Sequence, residues 1–534
     1  MSMTAKIPRA WAMVLAIVLV LTTAGQATAA TAGTAVAKPQ RPNIIFFLVD
    51  DMSAELLQYM DTVKGLAKGG TTFTGYYVAD SLCCPSRATM FTGQFPHNTG
   101  VRTNEGYDRG GYRAFAPHEG RTYAAALHQA GYRTGYLGKY INEYPAGAGY
   151  KVPAGWDEWH VTAAGGYNEF RYQLTRYIKE ETPAARPRDP SDGTYLVDEL
   201  GQRAVGFIER SRRYAPGEPF FLQVSPFAPH NRVDVKPGDK EPRFPPARRD
   251  RPKTKWPAGE FPHGDCGGPD CAGIDVSTLP AFDEDTADKP SWVRREPLGP
   301  KLVAELRTDF RNRIRMMQSI DDMVERVLAS LTERERRNTY VVFTSDNGFH
   351  LGQHRLVRGK TTAYDHDVRV PLLVKRPVAG RQDDLVTDAI AQNVDLFATF
   401  LDMAGIDPAL RDGRDGRSLL PLIQGRPVRD WRNAALIEHV KPNPLAPGTD
   451  PDADPRKVGN PTPPRYAAVR TAGELYVEYK GDPKPEYYNT VTDPHQETND
   501  PGNPRTAELA KVLDDLATCG KPGRTSCWTA AHLR

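Results

Sequence analysis

The stretch Asn43-Ile44-Ile45-Phe46-Phe47-Leu48-Val49-Asp50-Asp51 sets the architecture. Apolar residues run without a polar break from Ile44 to Val49, and two carboxylates follow at once. Such a run has the length and character of a buried strand, and the abrupt charge marks its carboxyl end. On the C-terminal side the chain alternates similar short runs with helical patterns. Thr122 to Ala130 is predicted as a helix stopped by Gly131, with Tyr132 to Leu137 as the next strand. Phe220 to Val224, Tyr340 to Thr344 and Pro371 to Val374 read as further strands, and Gly348 to Asp367 as a polar loop between the last two. This alternation specifies an α/β fold with a large, mostly parallel central sheet flanked by helices.

Two regions depart from the pattern. Residues 233–300 are rich in Pro, Gly, Asp and Arg and are expected to form a long loop insertion. Beyond about residue 430, Ala467 to Val469, Leu475 to Tyr479 and Glu486 to Asn489 read as short antiparallel strands, and Ala507 to Leu516 as a helix. The expected organisation is a catalytic domain over 42–430 and a small C-terminal subdomain over 431–534. No internal repeat is found.

At 534 residues the chain is too long for one small core. Its 39% hydrophobic and 25% charged content is that of a globular protein. The formal net charge is +3, and removing the two positive charges of Lys6 and Arg9 leaves +1. So even a balance gives no reason to expect nucleic acid or an anionic membrane as partner. Residues 1–30 read as a signal peptide: Lys6 and Arg9 precede the apolar run Trp11 to Leu21, and Ala27-Thr28-Ala29 with Ala30 offers a cleavage site. The apolar run is too short to span a bilayer comfortably, so no stable membrane insertion is expected. Residues 31–41 form a leader, and the mature protein is expected outside the cytoplasm.

The six cysteines form sequence-local pairs. Cys266 with Cys271 and Cys519 with Cys527 suit short-range disulfides in an exported chain. Adjacent cysteines such as Cys83 and Cys84 rarely bridge, because a vicinal disulfide strains the backbone.

Chemistry collects at strand ends. Asp50 and Asp51 follow the first strand, Lys139 follows Tyr132 to Leu137, His230 comes shortly after Phe220 to Val224, and Asp346 and Asn347 follow Tyr340 to Thr344. In an open α/β sheet these carboxyl ends share one edge, where ligands bind. Asp50, Asp51, Asp346 and Asn347 are hard oxygen donors, better suited to Ca²⁺ or Mg²⁺ than to Zn²⁺. Taken singly, each pair reads first as a helix cap beside a solvated neighbour, and the two pairs together shift the balance toward a metal.

In Cys83-Cys84-Pro85-Ser86-Arg87, Pro85 fits the first position of a helix, which places Cys83 just ahead of free amides and a dipole that favour an anion. Arg87 adds a planar donor fork suited to a tetrahedral oxyanion. Two buried thiols packing as small apolar residues, or a lone thiolate nucleophile, would also fit these residues. The basic stretch Arg248-Arg249 through Lys253 and Lys255-Trp256 reads as a solvated loop or as a greeting surface for an anionic ligand. His350 and His354 either line a leaving-group pocket or brace their loop.

Cys83 through Gly93, with sequence CCPSRATMFTG, resembles the signature of the formylglycine-dependent type I sulfatases, in which the first cysteine becomes formylglycine (3-oxoalanine). The resemblance extends to Asn43-Ile44 through Asp50-Asp51, Gly138-Lys139, Pro229-His230, Ser345-Asp346-Asn347-Gly348, Gly359-Lys360, Glu486-Tyr487-Tyr488-Asn489 and Asp493-Pro494. It implies an alkaline-phosphatase-like sheet with a small C-terminal domain bearing a short antiparallel sheet and a helix. It also implies one Ca²⁺ held by Asp50, Asp51, Cys83 (as formylglycine), Asp346 and Asn347. A formylglycine-generating enzyme is the implied maturation partner. By the same resemblance one hydroxyl of the Cys83 aldehyde hydrate attacks sulfur and expels the alcohol, and loss of the second proton then releases sulfate. Arg87, Lys139, His230 and Lys360 would contact sulfate, with His230 or Lys360 protonating the leaving oxygen.

Many sulfatases carry a His two residues after the lysine of the Gly-Lys motif, and here that position is Ile141. The run Gly138 to Tyr144, the Cys83-Cys84 pair and Gly348-Phe349-His350 to Gln353 resemble instead the branch of N-acetylglucosamine-6-sulfatases and extracellular heparan 6-O-endosulfatases. That branch implies 6-O-sulfate on a glucosamine-type sugar as substrate. The competing expectations are a broad arylsulfatase, a phosphate or phosphonate ester hydrolase of the same superfamily, and a non-catalytic binder of sulfated glycans.

Overall fold

A computed structural model describes residues 41–533 except 107–109, 147–150, 182–185, 189–192, 234, 236–237, 239, 252–270, 272, 379–382, 408, 410–412 and 442–462. The expected signal peptide, most of the leader, Trp256 with its neighbouring lysines, and Cys266 lie outside the described residues. Arg41–Arg534 form one compact unit.

The run Ile44 to Val49 lies inside the strand Asn43–Val49, whose residues are all buried. Its side chains divide between two cores as strand pleating requires. Ile44, Phe46 and Leu48 face a cluster that includes Phe91, Tyr123 and Phe400. Ile45, Phe47 and Val49 face another that includes Phe207, Met317 and Ile320. Those partners sit on helices, Cys83–Thr92 and Leu396–Met403 on the first side and Leu196–Tyr214 and Pro300–Ala329 on the second, so both faces of the sheet are covered. Each fully buried side chain of this size contributes roughly 1.5–3 kcal/mol relative to exposure.

The sheet has ten strands in the order Leu385–Thr387, Gly70–Phe73, Leu372–Lys375, Thr339–Ser345, Asn43–Val49, Phe220–Ser225, Arg133–Gly138, Glu158–Ala164, Gln173–Ile178 and Arg186–Arg188. The five from Thr339–Ser345 to Glu158–Ala164 pair in parallel. Leu372–Lys375 is antiparallel to Thr339–Ser345, and Gln173–Ile178 to Glu158–Ala164. A smaller antiparallel sheet orders Ala434–His439, Tyr466–Thr471, Glu474–Tyr479 and Glu486–Asn489. Leu436, Val469 and Tyr476 of that sheet pack with Leu509, Leu513 and Leu516 of the helix Thr506–Thr518. Beyond this helix a disulfide joins Cys519 to Cys527, and Cys271 is also disulfide-bonded. No described helix is long and apolar enough to cross a membrane.

The helix carrying the cysteine motif spans Cys83–Thr92, so it starts two residues earlier than Pro85 suggests. Its first bond runs from the Ser86 amide to the Leu82 carbonyl at 3.1 Å. The first four amides of a helix have no partner within it, so Pro85 is tolerated at the third position as it would be at the first. Cys83 therefore lies inside the first turn rather than ahead of it. Gly93 ends the helix at φ 67, where a Cβ would stand 2.8 Å from Phe397 Cβ.

Candidate active site

The four central strands deliver their following residues to one edge in sheet order. Asp346 and Asn347 follow Thr339–Ser345, Asp50 and Asp51 follow Asn43–Val49, His230 lies beyond Phe220–Ser225, and Lys139 follows Arg133–Gly138. The Cys83 helix points its N-terminus at that edge. Asp50, Asp51, Cys83 and Asp346 each offer an atom within 4.8 Å of the others, and all are buried. Cys83 Sγ lies 3.3 Å from Asp50 Oδ1, 3.8 Å from Asp51 Oδ1 and 2.7 Å from Lys360 Nζ.

Cations balance this crowd of carboxylates. Lys139 Nζ donates to Asp50 Oδ2 at 2.8 Å, and Lys360 Nζ to Asp51 Oδ1 at 2.6 Å. Arg87 donates through Nε to Asp346 Oδ2 at 2.7 Å and through Nη1 to the Lys139 carbonyl at 2.8 Å. Burial opposes the Arg87 charge, but Asp346 and Asp50 more than compensate and raise its pKa above the ordinary value. His230 donates from Nδ1 to the Asn231 carbonyl at 2.6 Å, leaving Nε2 3.4 Å from Asp51 Oδ2. Burial, helped by Asp346 and Asp51, outweighs the downward pull of Lys139 and His230 and leaves Asp50 raised to about 6.

The donor set suits a hard cation. Asp50, Asp51 and Asp346 supply carboxylate oxygens, and Asn347 Oδ1 is buried with no hydrogen-bond partner among the described residues. Its amide nitrogen is engaged instead, donating to Asp51 Oδ1 at 2.6 Å.

Several residues that sequence reasoning did not single out hold this arrangement. Ser86 Oγ donates to the Asp346 carbonyl at 2.5 Å and accepts from Asn393 Nδ2 at 2.9 Å, tying the helix to the end of the strand Thr339–Ser345. Asn104 Oδ1 accepts from the Cys84 amide at 2.8 Å. Buried Arg313 donates from Nη2 to the Asp51 carbonyl at 2.5 Å, where Asp51 holds a left-handed φ of 59. A strained non-glycine residue at a strand end is a recurrent mark of a functional site. The one early signal was the serine inside the cysteine motif; the others have no local pattern to reveal them.

Ile141 is buried in an apolar core cluster and offers no base at that position. His350 pairs with Asp367 and His354 with Glu284, contacts that brace the loop. Arg249 pairs with Asp198 at 2.6 Å and Asp322 at 3.4 Å, and Arg248 lies 5.2 Å from the Phe170 ring.

Residues 42–406 match the sulfatase family. An extracellular sulfatase SULF-1 homolog of Drosophila melanogaster is 34% identical over 413 residues, covering 75% of this chain and 33% of its own length. The human N-acetylglucosamine-6-sulfatase is 31% identical over 508 residues, covering 89% of this chain and 82% of its own. The chain thus spans a third of the first relative and about four-fifths of the second. A solved structure described as BT4656 with its substrate D-glucosamine-2-N,6-O-disulfate shares the fold, with a TM-score of 0.65, 23% identity and coverage of 89% of this chain and 97% of that one.

Proposed function

The chain belongs to the sulfatase family, and we propose that it hydrolyses sulfate monoesters, with 6-O-sulfate on a glucosamine-type sugar as the substrate class. The observation that carries this reading is the Cys83 side chain, set in a helix N-terminus among three carboxylates and 2.7 Å from Lys360. Relatives named N-acetylglucosamine-6-sulfatase support the sugar. In this reading Cys83 is converted to formylglycine by a formylglycine-generating enzyme, and its hydrate supplies the attacking hydroxyl where Sγ now stands. Asp50, Asp51, Asp346 and Asn347 would hold a Ca²⁺, which supplies Lewis-acid polarisation of sulfate and of the hydrate.

The chain's own residues take the remaining tasks. Arg87, fixed by Asp346, presents its positive charge to the anionic end of the substrate. Lys139 and Lys360 already lie within hydrogen-bond reach of the ligand carboxylates and would neutralise sulfate oxygens. His230 has its Nδ1 proton fixed on a backbone carbonyl, so a proton on Nε2 is the one available for the leaving oxygen. With Ile141 in the core, no base stands at that position, and Lys360 Nζ, 2.7 Å from Cys83 Sγ, would hold the hydrate by a hydrogen bond. An extracytoplasmic site of action fits the apolar run behind Lys6 and Arg9 and the extracellular relatives.

The test is the mass of the peptide containing Cys83 from natively produced protein, combined with sulfate and phosphate esters of one aryl alcohol. An aldehyde at Cys83 with faster sulfate turnover is expected. Faster phosphate turnover would move the chain to the phosphate or phosphonate ester hydrolases, and an intact thiol would make it a binding protein.

A further inference from the structure

The loop that carries Asn347 runs directly into another buried cluster. His350, His366 and Asp367 each bring one ligand atom within 4.8 Å of the others. His350 Nδ1 stands 3.1 Å from Asp367 Oδ1, and His366 Nε2 stands 3.7 Å from the same oxygen. Donor atoms at about 2.0–2.1 Å around a tetrahedral zinc lie roughly 3.3 Å apart, and these two separations depart from that spacing by a few tenths of an ångström. The carboxylate is anchored from behind, where Asp367 Oδ2 accepts from the Thr362 amide at 3.1 Å and hydroxyl at 2.6 Å.

A histidine–aspartate hydrogen bond accounts for His350 but not for His366, whose Nε2 is enclosed and makes no hydrogen bond among the described residues. The same holds for His354, which is fully buried with an unpartnered Nε2 and a ring centroid 5.1 Å from that of His366. Glu284 takes the Nδ1 side of His354. A carboxylate behind one ring nitrogen is the arrangement that turns the other nitrogen's lone pair toward a metal. Access is available too: His366 lines a cavity of about 340 Å³ together with Gln353, Asp365, Arg369 and His495.

We propose that His350, His366 and Asp367 form a second metal site, distinct from the all-oxygen set at Cys83 and suited to a borderline transition ion such as Zn²⁺. His354 lies beside His366 but outside the set of three ligand atoms. Nitrogen donors favour zinc over calcium, so the two sites sort ions by chemistry. Binding replaces the proton shared by His350 and Asp367 and releases it to solvent. The Asp367 and His366 carbonyls accept from the Gly348 and Phe349 amides at 2.8 and 3.1 Å, so an ion held here grips the backbone immediately after Asn347.

Cobalt(II), titrated into the full chain in excess Ca²⁺, reports the site through its visible absorption, and Zn²⁺ should bleach it. One Co²⁺ per chain with an intense low-symmetry band is expected. Affinity should fall at least tenfold in His366→Phe, or in His366→Gln if the first variant misfolds, and should persist in Asp346→Asn. A wild type without the band, unchanged affinity in the His366 variant, or loss of the band in Asp346→Asn would each overturn the proposal. Because the readout is cobalt absorption, its failure is separate from failure of the sulfatase reading.

Discussion

Asp50 and Glu158 are both fully buried carboxylates of the same sheet, and their environments push them in opposite directions. Glu158 sits at the amino end of its strand, where Arg133 donates at 2.8 Å and Arg210 at 2.9 and 2.6 Å. Burial raises its pKa, but His160 and Arg210 outweigh that and bring it down to about 2. Asp50 sits at the carboxyl end of its strand, with Lys139 on one side and Asp346 and Asp51 pressing from the others, and stands at about 6. The lesson is that the scaffold surrounds a buried charge with opposite charge, while the site packs carboxylates against one another so that their mutual repulsion offsets much of the pull of the neighbouring cations.

Three experiments probe that contrast. The largest effect is expected at the site's centre: Cys83→Ala should cost roughly a thousandfold or more in kcat/KM on an aryl sulfate, while Cys84→Ala keeps much of the activity. Comparable losses would show that the pair, not Cys83, carries the attack.

The scaffold half is tested by Glu158→Leu, which takes the paired carboxylate from Arg210 and leaves Arg133 with Glu180 alone, and should lose about 3 kcal/mol of stability in denaturant melts. Turnover per folded molecule should not change, and a loss of turnover at intact stability would place Glu158 in the site. The sign with pH follows from its depressed pKa. The Glu158 contribution is fully present above the unfolded value of 4.5 and is lost as pH falls toward about 2, so wild type and Glu158→Gln should converge across that window.

The smallest effect is a thermal shift. Asp50 is raised, so in ion-free protein it takes a proton as pH falls through about 6, and that proton competes with a cation. Ca²⁺ should therefore raise Tm by a few degrees above that pH and by less below it. An equal shift on both sides would separate Asp50 from the ion.

The parts of this contrast differ in how far the sequence foretold them. Strand ends were legible because an unbroken apolar run ending in charge, as at Val49-Asp50, has one structural meaning. The helix start at Cys83 was misplaced because proline fits any of the first positions equally well. Ser86, Asn104, Arg313 and Asn393 were hidden for another reason: each acts through a single long-range bond, and periodicity carries no record of such partners. The Glu158 cluster was hidden likewise, since Arg133, Glu158 and Arg210 are spread over three elements. His366 drew no notice beside Asp367, because only the folded loop brings it to His350.

The bond from the Asp51 amide to Asp346 Oδ1 spans 295 residues of chain. Closing so long a loop is a late and entropically costly event in folding. No partial structure built from the first hundred residues owns the complete ligand set, however well its strand and helix form. An ion held there would reward only the finished chain, so it would slow unfolding far more than it would hasten folding. The protein's resistance to unfolding would then follow the calcium around it.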